Sequence, residues 1–243
     1  MAGVLVKTVL MPTTRFVESV EVRGYAMVPD VLDAHHARDL ADLLEEGTTI
    51  SAGRGGRRNL LDEPAIRELA HSNKLRSLVT PILGESAFVV RGILFDKTEG
   101  ANWKVPWHQD VTIAVKDRVD VEGYGPWSVK QDVLHVQPPS GVMENMLSVR
   151  LHLDDCPRTN GALRVIPGSH TEGKLSQESI EQVVAGNEAV TCEMNRGGAL
   201  LMRPLAIHAS SAAEVPGHRR VIHFDYANVA LADGLEWYEP RTR

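Results

Sequence analysis

Several features that mark whole classes of protein are scarce or missing in this 243-residue sequence. Cysteine occurs only twice, at Cys156 and Cys192, which is too few for a disulfide framework and is typical of a reducing compartment. No apolar run approaches the roughly 18 residues that a membrane span needs. The first residues also lack the basic start and long apolar stretch of a signal peptide. We therefore expect a cytoplasmic protein that does not associate with membranes.

Positively charged residues are outnumbered by negatively charged ones, and the formal net charge is −6. An excess of negative charge argues against a general nucleic-acid-binding surface. The one basic patch, at residues 54–58, is broken by two glycines and has no strand-then-helix context. It is therefore predicted to be a solvated loop and not a phosphate cradle. We expect a small molecule as the partner, bound by a monomer or a small homo-oligomer.

The remaining composition, 43% hydrophobic and 24% charged, is that of an ordinary globular protein. There is no internal repeat, and the length suits a single domain covering residues 1–243. The sequence predicts a helical N-terminal part over residues 30–84, approximately. Asp33 is a predicted N-cap for a helix over 34–46 that ends at Gly47, and Asp62 with Pro64 opens a second helical stretch that runs to Gly84.

The pattern becomes β from residue 86, and a β core is predicted over about 86–230. Predicted strands cover 88–95, 111–115, 146–153, 162–166, 198–202 and 219–226. Many short strands after a helical start predict a mainly β fold, two packed sheets with flanking helices. Residues 116–145 are predicted to be irregular, which favours a lid or substrate loop over the active site. The alternative is an Ω-loop packed on the sheet.

The strongest chemical signal is His108-Gln109-Asp110. Side chains at positions i and i+2 of a strand share a face, so His108 and Asp110 can present a nitrogen and an oxygen to one point. A second histidine from a distant strand would complete two histidines and one carboxylate, the arrangement of non-haem Fe(II) oxygenases. His208 follows an apolar stretch and is the candidate. A core histidine bonded to a carbonyl is the alternative for it.

Arginine is the next candidate ligand-binding group. Alternation over residues 219–226 places Arg219 and Arg220 on opposite faces. One of the two is expected to point inward, where it needs an anionic partner such as a bound carboxylate. Periodicity does not decide which one.

Taken together, the motifs resemble those of the phytanoyl-CoA dioxygenase family of Fe(II)- and 2-oxoglutarate-dependent oxygenases. The matching segments are residues 24–30, 83–84, 95–97, 106–110, 153–155, 160–170 and 208–210, with Arg219. The resemblance implies a double-stranded β-helix, the jelly-roll core of cupins. It also implies Fe(II), 2-oxoglutarate and O2 as cofactors, with His108, Asp110 and His208 as the metal ligands and catalytic residues.

The resemblance places Arg219 against the distal carboxylate of 2-oxoglutarate. Lys97 and Ser210 are further candidates for the same pocket, because they match family segments and lie close in sequence to the ligands. His170 is interpreted as part of a turn and not as a ligand. One departure is that Arg150 or a neighbour stands where many relatives carry tryptophan.

The substrate contacts are less determined. Ser148, Arg150 and His152 share a strand face that either lines the pocket or is an ordinary solvated face. In the predicted loop, Trp127 and His135 are candidates for covering or orienting a substrate.

The implied reaction is hydroxylation of a C–H bond of a small molecule, with release of succinate and CO2. Desaturation, epimerisation and cyclisation begin with the same hydrogen abstraction and stay open. Asp110 argues against halogenation, which needs the carboxylate position for halide. A metal cupin that does not use 2-oxoglutarate is disfavoured by Arg219, and a non-catalytic binding module is disfavoured by the intact set of three ligands.

Overall fold

The computed structural model describes residues 13–46, 56–215 and 217–239. Its six α-helices are α1 Thr13–Arg23, α2 Ala34–Glu46, α3 Pro64–His71, α4 Asn73–Leu83, α5 Ser140–Glu144 and α6 Gln177–Gly186. Its twelve strands are β1 Tyr25–Val28, β2 Phe88–Lys97, β3 Val105–His108, β4 Ile113–Val115, β5 Trp127–Lys130, β6 Val133–Val136, β7 Met146–His152, β8 Leu163–Val165, β9 Val190–Cys192, β10 Ala199–Met202, β11 His208–Ser210 and β12 Arg219–Ala227.

The helices begin where the sequence places capping residues. The Asp33 carboxylate accepts a hydrogen bond from the backbone N–H of His36 at 2.8 Å, which fixes the start of α2. Pro64 occupies the first position of α3, and the Ser72 hydroxyl accepts from the N–H of Leu75 at the start of α4. The predicted end of α2 at Gly47 lies outside the described residues.

The strands form three antiparallel sheets. The major sheet has the order β1-β10-β7-β12-β2, the minor sheet β3-β11-β8-β9, and a smaller sheet β4-β6-β5. The outer face of the major sheet packs against the N-terminal helices through Leu151, Phe224 and other buried apolar side chains. A second apolar layer that includes Tyr25, Val165 and Leu200 joins strands of the major and minor sheets. The predicted jelly-roll class is confirmed, and the inner face of the major sheet is left for polar residues.

Residues 127–144 are largely regular, so the prediction of one irregular stretch over 116–145 was wrong for that part. They contain β5, β6 and the short helix α5, and β6 pairs with both β4 and β5. Gly125 and Pro126 precede β5, and residues 131 and 132 turn it into β6, so each strand is only four residues long. The glycine and proline residues around these two strands are typical of loops and outweighed their short alternation in the sequence.

The described part of the basic patch also differs from expectation. Gly56, Arg57 and Arg58 are partly buried, and Arg57 pairs with Leu94 at the edge of the major sheet. These three residues are therefore not a solvated loop. Within the described ranges, no helix combines the length and hydrophobicity of a membrane span.

Candidate metal centre and cosubstrate pocket

His108, Asp110 and His208 converge on one point. One ligand atom from each lies within 4.8 Å of the other two. His108 and His208 are direct partners across the antiparallel pair of β3 and β11, and their ring centroids are 4.2 Å apart. Asp110 Oδ1 lies 3.8 Å from His108 Nε2, and Oδ2 lies 3.7 Å from His208 Nε2. The structure thus brings together all three candidate ligands that the sequence singled out.

The path of the chain to Asp110 differs from the expected strand alternation. Strand β3 ends at His108, and Asp110 lies just beyond it. The backbone N–H of Asp110 donates to the carbonyl of Pro204 at 3.0 Å. This bond ties the carboxylate to the segment that leads into β11, so Asp110 and His208 are held together through the backbone.

Both imidazoles are oriented by main-chain carbonyls. His108 Nδ1 lies 2.9 Å from the carbonyl of Pro106, and His208 Nδ1 lies 2.9 Å from the carbonyl of Ala206. A carbonyl only accepts, so each Nδ1 carries the proton and each Nε2 keeps its lone pair. Hydrogen bonding of the far nitrogen in this way is the usual support for a metal-bound histidine.

Two neighbouring side chains brace the ligand-bearing segments. Gln109 donates to the carbonyls of Gly173 and Leu205, both at 2.7 Å, and accepts from the N–H of Leu175 at 2.8 Å. Ser169 accepts from the N–H of Ile207 at 2.8 Å, directly before His208. Sequence reasoning missed both roles, because each bond joins residues far apart in the chain. His170, as expected, is a structural residue whose Nε2 lies 3.1 Å from the carbonyl of Glu21.

The electrostatics of Asp110 and His208 favour the ligand forms. Burial alone would raise the pKa of Asp110, but the adjacent His208 and His108 outweigh it and lower the pKa to about 2. Burial, with His108 close by, lowers the pKa of His208 to about 3. At neutral pH the centre therefore presents a carboxylate and a neutral imidazole. Two nitrogens and one carboxylate oxygen fit Fe(II), with three octahedral positions left for exogenous ligands.

A buried cationic pocket lies on the adjoining strands. Lys97 on β2 is directly opposite Arg219 on β12, and their exposed fractions are only 1% and 5%. The Lys97 ammonium donates to the carbonyl of Ser211 at 2.5 Å and lies 3.3 Å from the hydroxyl of Ser210. Burial and the neighbouring Arg219 lower the pKa of Lys97 to about 8. The three residues expected to hold the cosubstrate are thus brought together.

Arg219 has no carboxylate partner among the described residues. One Nη donates to the carbonyl of Gly161, and the guanidinium also bonds the thiol of Cys156. Its Nε is buried and without a hydrogen-bond partner in the described structure. A buried cation with an unused donor is the expected state of a site that binds an anion. A carboxylate of 2-oxoglutarate fits this requirement.

Gly161 is required where it lies. Its φ is +65°, and a Cβ built there would lie 2.5 Å from the carbonyl oxygen of Ser211 and 3.3 Å from Lys97 Nζ. Only glycine combines this backbone conformation with so close an approach. The Asn-Gly turn therefore brings a carbonyl acceptor to Arg219 without closing the pocket.

Arg150 occupies the inner face of the major sheet and is held by a chain of polar contacts. Its Nη1 donates to His223 Nδ1 at 2.8 Å, and its guanidinium lies 5.3 Å from the ring centroid of Phe95. An arginine only donates, so Nδ1 of His223 is the acceptor and its Nε2 carries the proton. That Nε2 donates to Asp225 at 2.9 Å. Burial, together with Arg219 nearby, lowers the pKa of Arg150 to about 10.

The rest of that face shows that it is not a solvated surface. Ser148 is buried and donates to Asp225 at 2.6 Å, and Arg91 bonds the other oxygen of Asp225 at 2.6 Å. His152 is buried with neither ring nitrogen bonded in the described structure. Burial, then the positive charge of Arg150, lowers the pKa of His152 to about 3. Of the two interpretations left open by the sequence, the structure supports an inward-facing polar lining.

The two substrate candidates from the predicted loop lie on β5 and β6. Trp127 packs against the apolar cluster around Ile113 and Val136, with the Arg118 guanidinium 5.3 Å from its ring centroid. His135 is buried, and its cavity, shared with Arg58 and Arg91, measures about 10 Å³. That space is sufficient for one water molecule. The role of both side chains as substrate contacts stays a prediction.

Comparison with known families is decisive for the class of protein. The model of the phytanoyl-CoA dioxygenase (PhyH) family matches residues 20–221. This span includes all the candidate metal and cosubstrate residues. The chain therefore belongs to the phytanoyl-CoA dioxygenase family, as its motifs had indicated. No curated protein matches it.

Three solved structures illustrate the proteins of similar fold. The epimerase SnoN from nogalamycin biosynthesis, in complex with Fe3+, alpha ketoglutarate and nogalamycin RO, is 18% identical with a TM-score of 0.65, covering 89% of this chain and 83% of its own. The carbocyclase SnoK from the same biosynthesis is 16% identical with a TM-score of 0.65, at 89% and 84% coverage. HygX from Streptomyces hygroscopicus, with nickel and 2-oxoglutarate bound, is 17% identical with a TM-score of 0.64, at 88% and 86% coverage. At these identities the similarity shows a shared fold.

Proposed function

We propose that this protein is a non-haem Fe(II)- and 2-oxoglutarate-dependent dioxygenase that hydroxylates a C–H bond of a small molecule. One observation carries the proposal: two imidazole Nε2 atoms and a carboxylate converge close to a buried arginine that has no carboxylate partner among the described residues. Family membership and the iron and 2-oxoglutarate named for similar structures agree with it. When bound, iron with 2-oxoglutarate and O2 supplies an oxidant that removes hydrogen from the substrate, while 2-oxoglutarate becomes succinate and CO2.

The residues of the chain hold and orient the reactants. His108, Asp110 and His208 would hold the metal. Arg219 pairs with the distal carboxylate of 2-oxoglutarate, and Lys97 and Ser210 donate to the same group. This arrangement points the keto-acid end of the molecule toward the metal ligands.

The inner face of β7 and β12 places buried polar and charged side chains beside the proposed metal site. Arg150 cannot rotate freely, because His223 and Phe95 fix its guanidinium. We propose that its remaining donors contact a bound substrate or cosubstrate. The buried surroundings of Arg150, Arg219 and Lys97 exclude water and strengthen each charged contact.

Epimerisation or cyclisation is the second candidate function, because SnoN is described as an epimerase and SnoK as a carbocyclase. The ligands do not distinguish these outcomes. Oxygen-18 labelling does: hydroxylation transfers one atom of labelled O2 into the product alcohol, whereas epimerisation and cyclisation leave the product unlabelled.

Conversion of 2-oxoglutarate to succinate tests the proposed class. We expect iron-dependent succinate formation in air, measured by mass spectrometry, and its loss in His108→Ala, Asp110→Ala and His208→Ala. His35→Ala is the matched control, since the His35 side chain is exposed on α2 and its Nδ1 lies 2.8 Å from the carboxylate of Asp39. Full activity of His208→Ala would show that the third ligand lies elsewhere.

A further inference from the structure

A second group of cations lies beside the metal ligands, separate from the proposed cosubstrate pocket. It consists of Arg58, Arg91 and Lys130, and the last two contact Thr112, two residues beyond Asp110. Lys130 Nζ donates to the Thr112 hydroxyl at 3.2 Å, and Arg91 Nη1 donates to the Thr112 carbonyl at 3.4 Å. These bonds place positive charge immediately after the metal-binding segment.

Long-range contacts bring Arg58 to this group. The β5–β6 turn is fastened to the segment before Arg58 by Gln131, whose side chain accepts from the Arg58 N–H at 3.0 Å and donates to the Gly56 carbonyl at 2.9 Å. Arg58 and Arg91 line the same small cavity. The β5–β6 hairpin thus supplies Lys130, and the segment at residues 56–58 supplies Arg58, to the same group of cations.

Within the described residues, only Arg91 of this group has a carboxylate at ion-pair distance. Arg91 is paired with Asp225, with two nitrogens 2.6 Å from one carboxylate oxygen. Arg58 and Lys130 have no carboxylate partner within the part of the chain that the structure describes. Burial and the neighbouring arginines lower the pKa of both groups, so each is held close to another cation at an energetic cost.

The proposed cosubstrate does not account for these charges. Its distal carboxylate pairs with Arg219 and Lys97, and its other end lies at the metal. Asp110 attracts all three cations electrostatically, and Asp225 attracts Arg58 and Arg91. Asp110 is itself a proposed metal ligand, and Asp225 is already bonded to Arg91, Ser148 and His223. Two uncompensated cations next to the place where a substrate must bind call for a negative charge on that substrate.

We propose that Arg58 and Lys130 bind an anionic group, a carboxylate or a phosphate, of the substrate that is oxidised at the metal. The proposal rests on the proposed function and names its substrate class. An arginine supplies a two-pronged contact to either anion, and a lysine supplies a point charge. Anchoring one end of the substrate there fixes which C–H bond lies over the metal.

Paramagnetic relaxation provides a test that does not need turnover. Protein loaded with Mn(II) and saturated with 2-oxoglutarate is titrated with inorganic phosphate, followed by its 31P signal, and separately with acetate, followed by its 1H signal. An anion bound near the metal relaxes faster, and the effect saturates. We expect saturable relaxation of at least one anion, with an affinity weakened on the order of tenfold in Lys130→Gln and in Arg58→Gln, the worth of one charged hydrogen bond.

The control variant is Lys74→Gln, which removes the same charge from the exposed surface of α4 and should behave as wild type. Phosphate alone would indicate a phosphorylated substrate, and acetate alone a carboxylic acid. No saturable relaxation by either anion, or equal relaxation in Lys130→Gln, would overturn the proposal. Lys130 and Arg58 are both only partly buried, so both variants should fold.

The same samples separate this proposal from the proposed function. The 1H signals of 2-oxoglutarate report whether it binds next to the metal. If 2-oxoglutarate is relaxed but neither anion is, only the anionic-substrate proposal fails. If 2-oxoglutarate itself is unaffected by the bound metal, the proposed function fails.

Discussion

Asp154 determines which of two consecutive arginines enters the protein. Its carboxylate accepts from the backbone N–H and the Nε of Arg220, both at 2.9 Å, and from Arg220 Nη2 at 2.9 Å. These bonds hold Arg220 on the outer side of β12, so the alternation of the strand turns Arg219 inward. The sequence showed the alternation but not its direction, because the deciding contact joins β12 to the segment after β7.

The two arginines make a matched pair of variants. We expect Arg219→Ala to weaken 2-oxoglutarate binding at least about 30-fold, since losing one partner of a buried charged contact costs about 2–5 kcal/mol. Arg220→Ala should leave the affinity nearly unchanged and lower the melting temperature instead. Calorimetric titration of the nickel-loaded proteins measures the two affinities, and thermal unfolding measures the melting temperatures. The reverse ranking would show that the cosubstrate pocket is on the other face of the strand.

Lys97 adds a pH dependence to the same pocket. Its pKa falls from 10.5 to about 8 through burial and the nearby Arg219, so the ammonium is charged below about pH 8 and lost above it. We expect 2-oxoglutarate affinity to fall by up to about tenfold per unit as the pH rises above 8. Between about pH 8 and 10.5 the unfolded chain keeps a proton that the folded protein has lost, so this group's contribution to stability rises with pH there.

Lys97→Met is the test of this assignment. The variant should bind 2-oxoglutarate weakly at every pH and should lose the decline between about pH 7 and 9 that is expected of wild type. An unchanged pH profile in the variant would assign the titration to another group.

At the scale of elements, the β5–β6 hairpin replaces the expected irregular loop. Strand β6 is paired on both sides, and Gln131 fastens the turn to residues 56–58. We expect the amides of β6 to exchange slowly in the ligand-free protein and those of residues 117–123 to exchange fast. Hydrogen-exchange mass spectrometry resolves the two segments. Uniformly fast exchange over 116–145 would instead support a mobile loop, and its proposed action as a lid would be tested by protection on ligand binding.

The elements that the sequence did not predict have a common physical reason. Helix α1 is rich in threonine and valine, which are weak helix formers, and its stability comes from burying Phe16 and Val20 in the core. The strands that were predicted, such as β2, β7 and β12, are long and have many alternating buried positions. Local pattern therefore identified the major sheet and missed elements that depend on tertiary packing.

The site also combines residues that the sequence identified with residues whose roles depend on contacts between distant segments. His108 and Asp110 are neighbours in sequence, and the match to family motifs supplied His208, Arg219, Lys97 and Ser210. Gln109, Asp154 and Ser169 lie in segments that match family motifs, but their supporting roles come from bonds to distant segments, as does the contact of His223 with Arg150. No local pattern in the sequence predicts these partners. Arg58 was assigned to a solvated loop for the same reason, since its surroundings come from Gln131 and Arg91.

At the scale of the whole molecule, charge is distributed unevenly. The chain carries a net charge of −6, yet the inner face of the major sheet and its border hold more cations than carboxylates. Among the described residues, no carboxylate lies within ion-pair distance of Lys97, Arg150 and Arg219, or of Arg58 and Lys130. Two anionic ligands, a cosubstrate and a substrate, explain both groups of cations within one interior.

The most direct test of the account is an anaerobic titration of the iron-loaded protein with 2-oxoglutarate. A keto acid that chelates Fe(II) through two oxygens produces a visible charge-transfer absorption, which needs no substrate and no turnover. We expect a saturable band for wild type, no band for His208→Ala, and a band for Arg219→Ala that requires far more 2-oxoglutarate. Wild-type protein that holds one iron per chain and shows no band would contradict the central claim that this site binds iron and 2-oxoglutarate together.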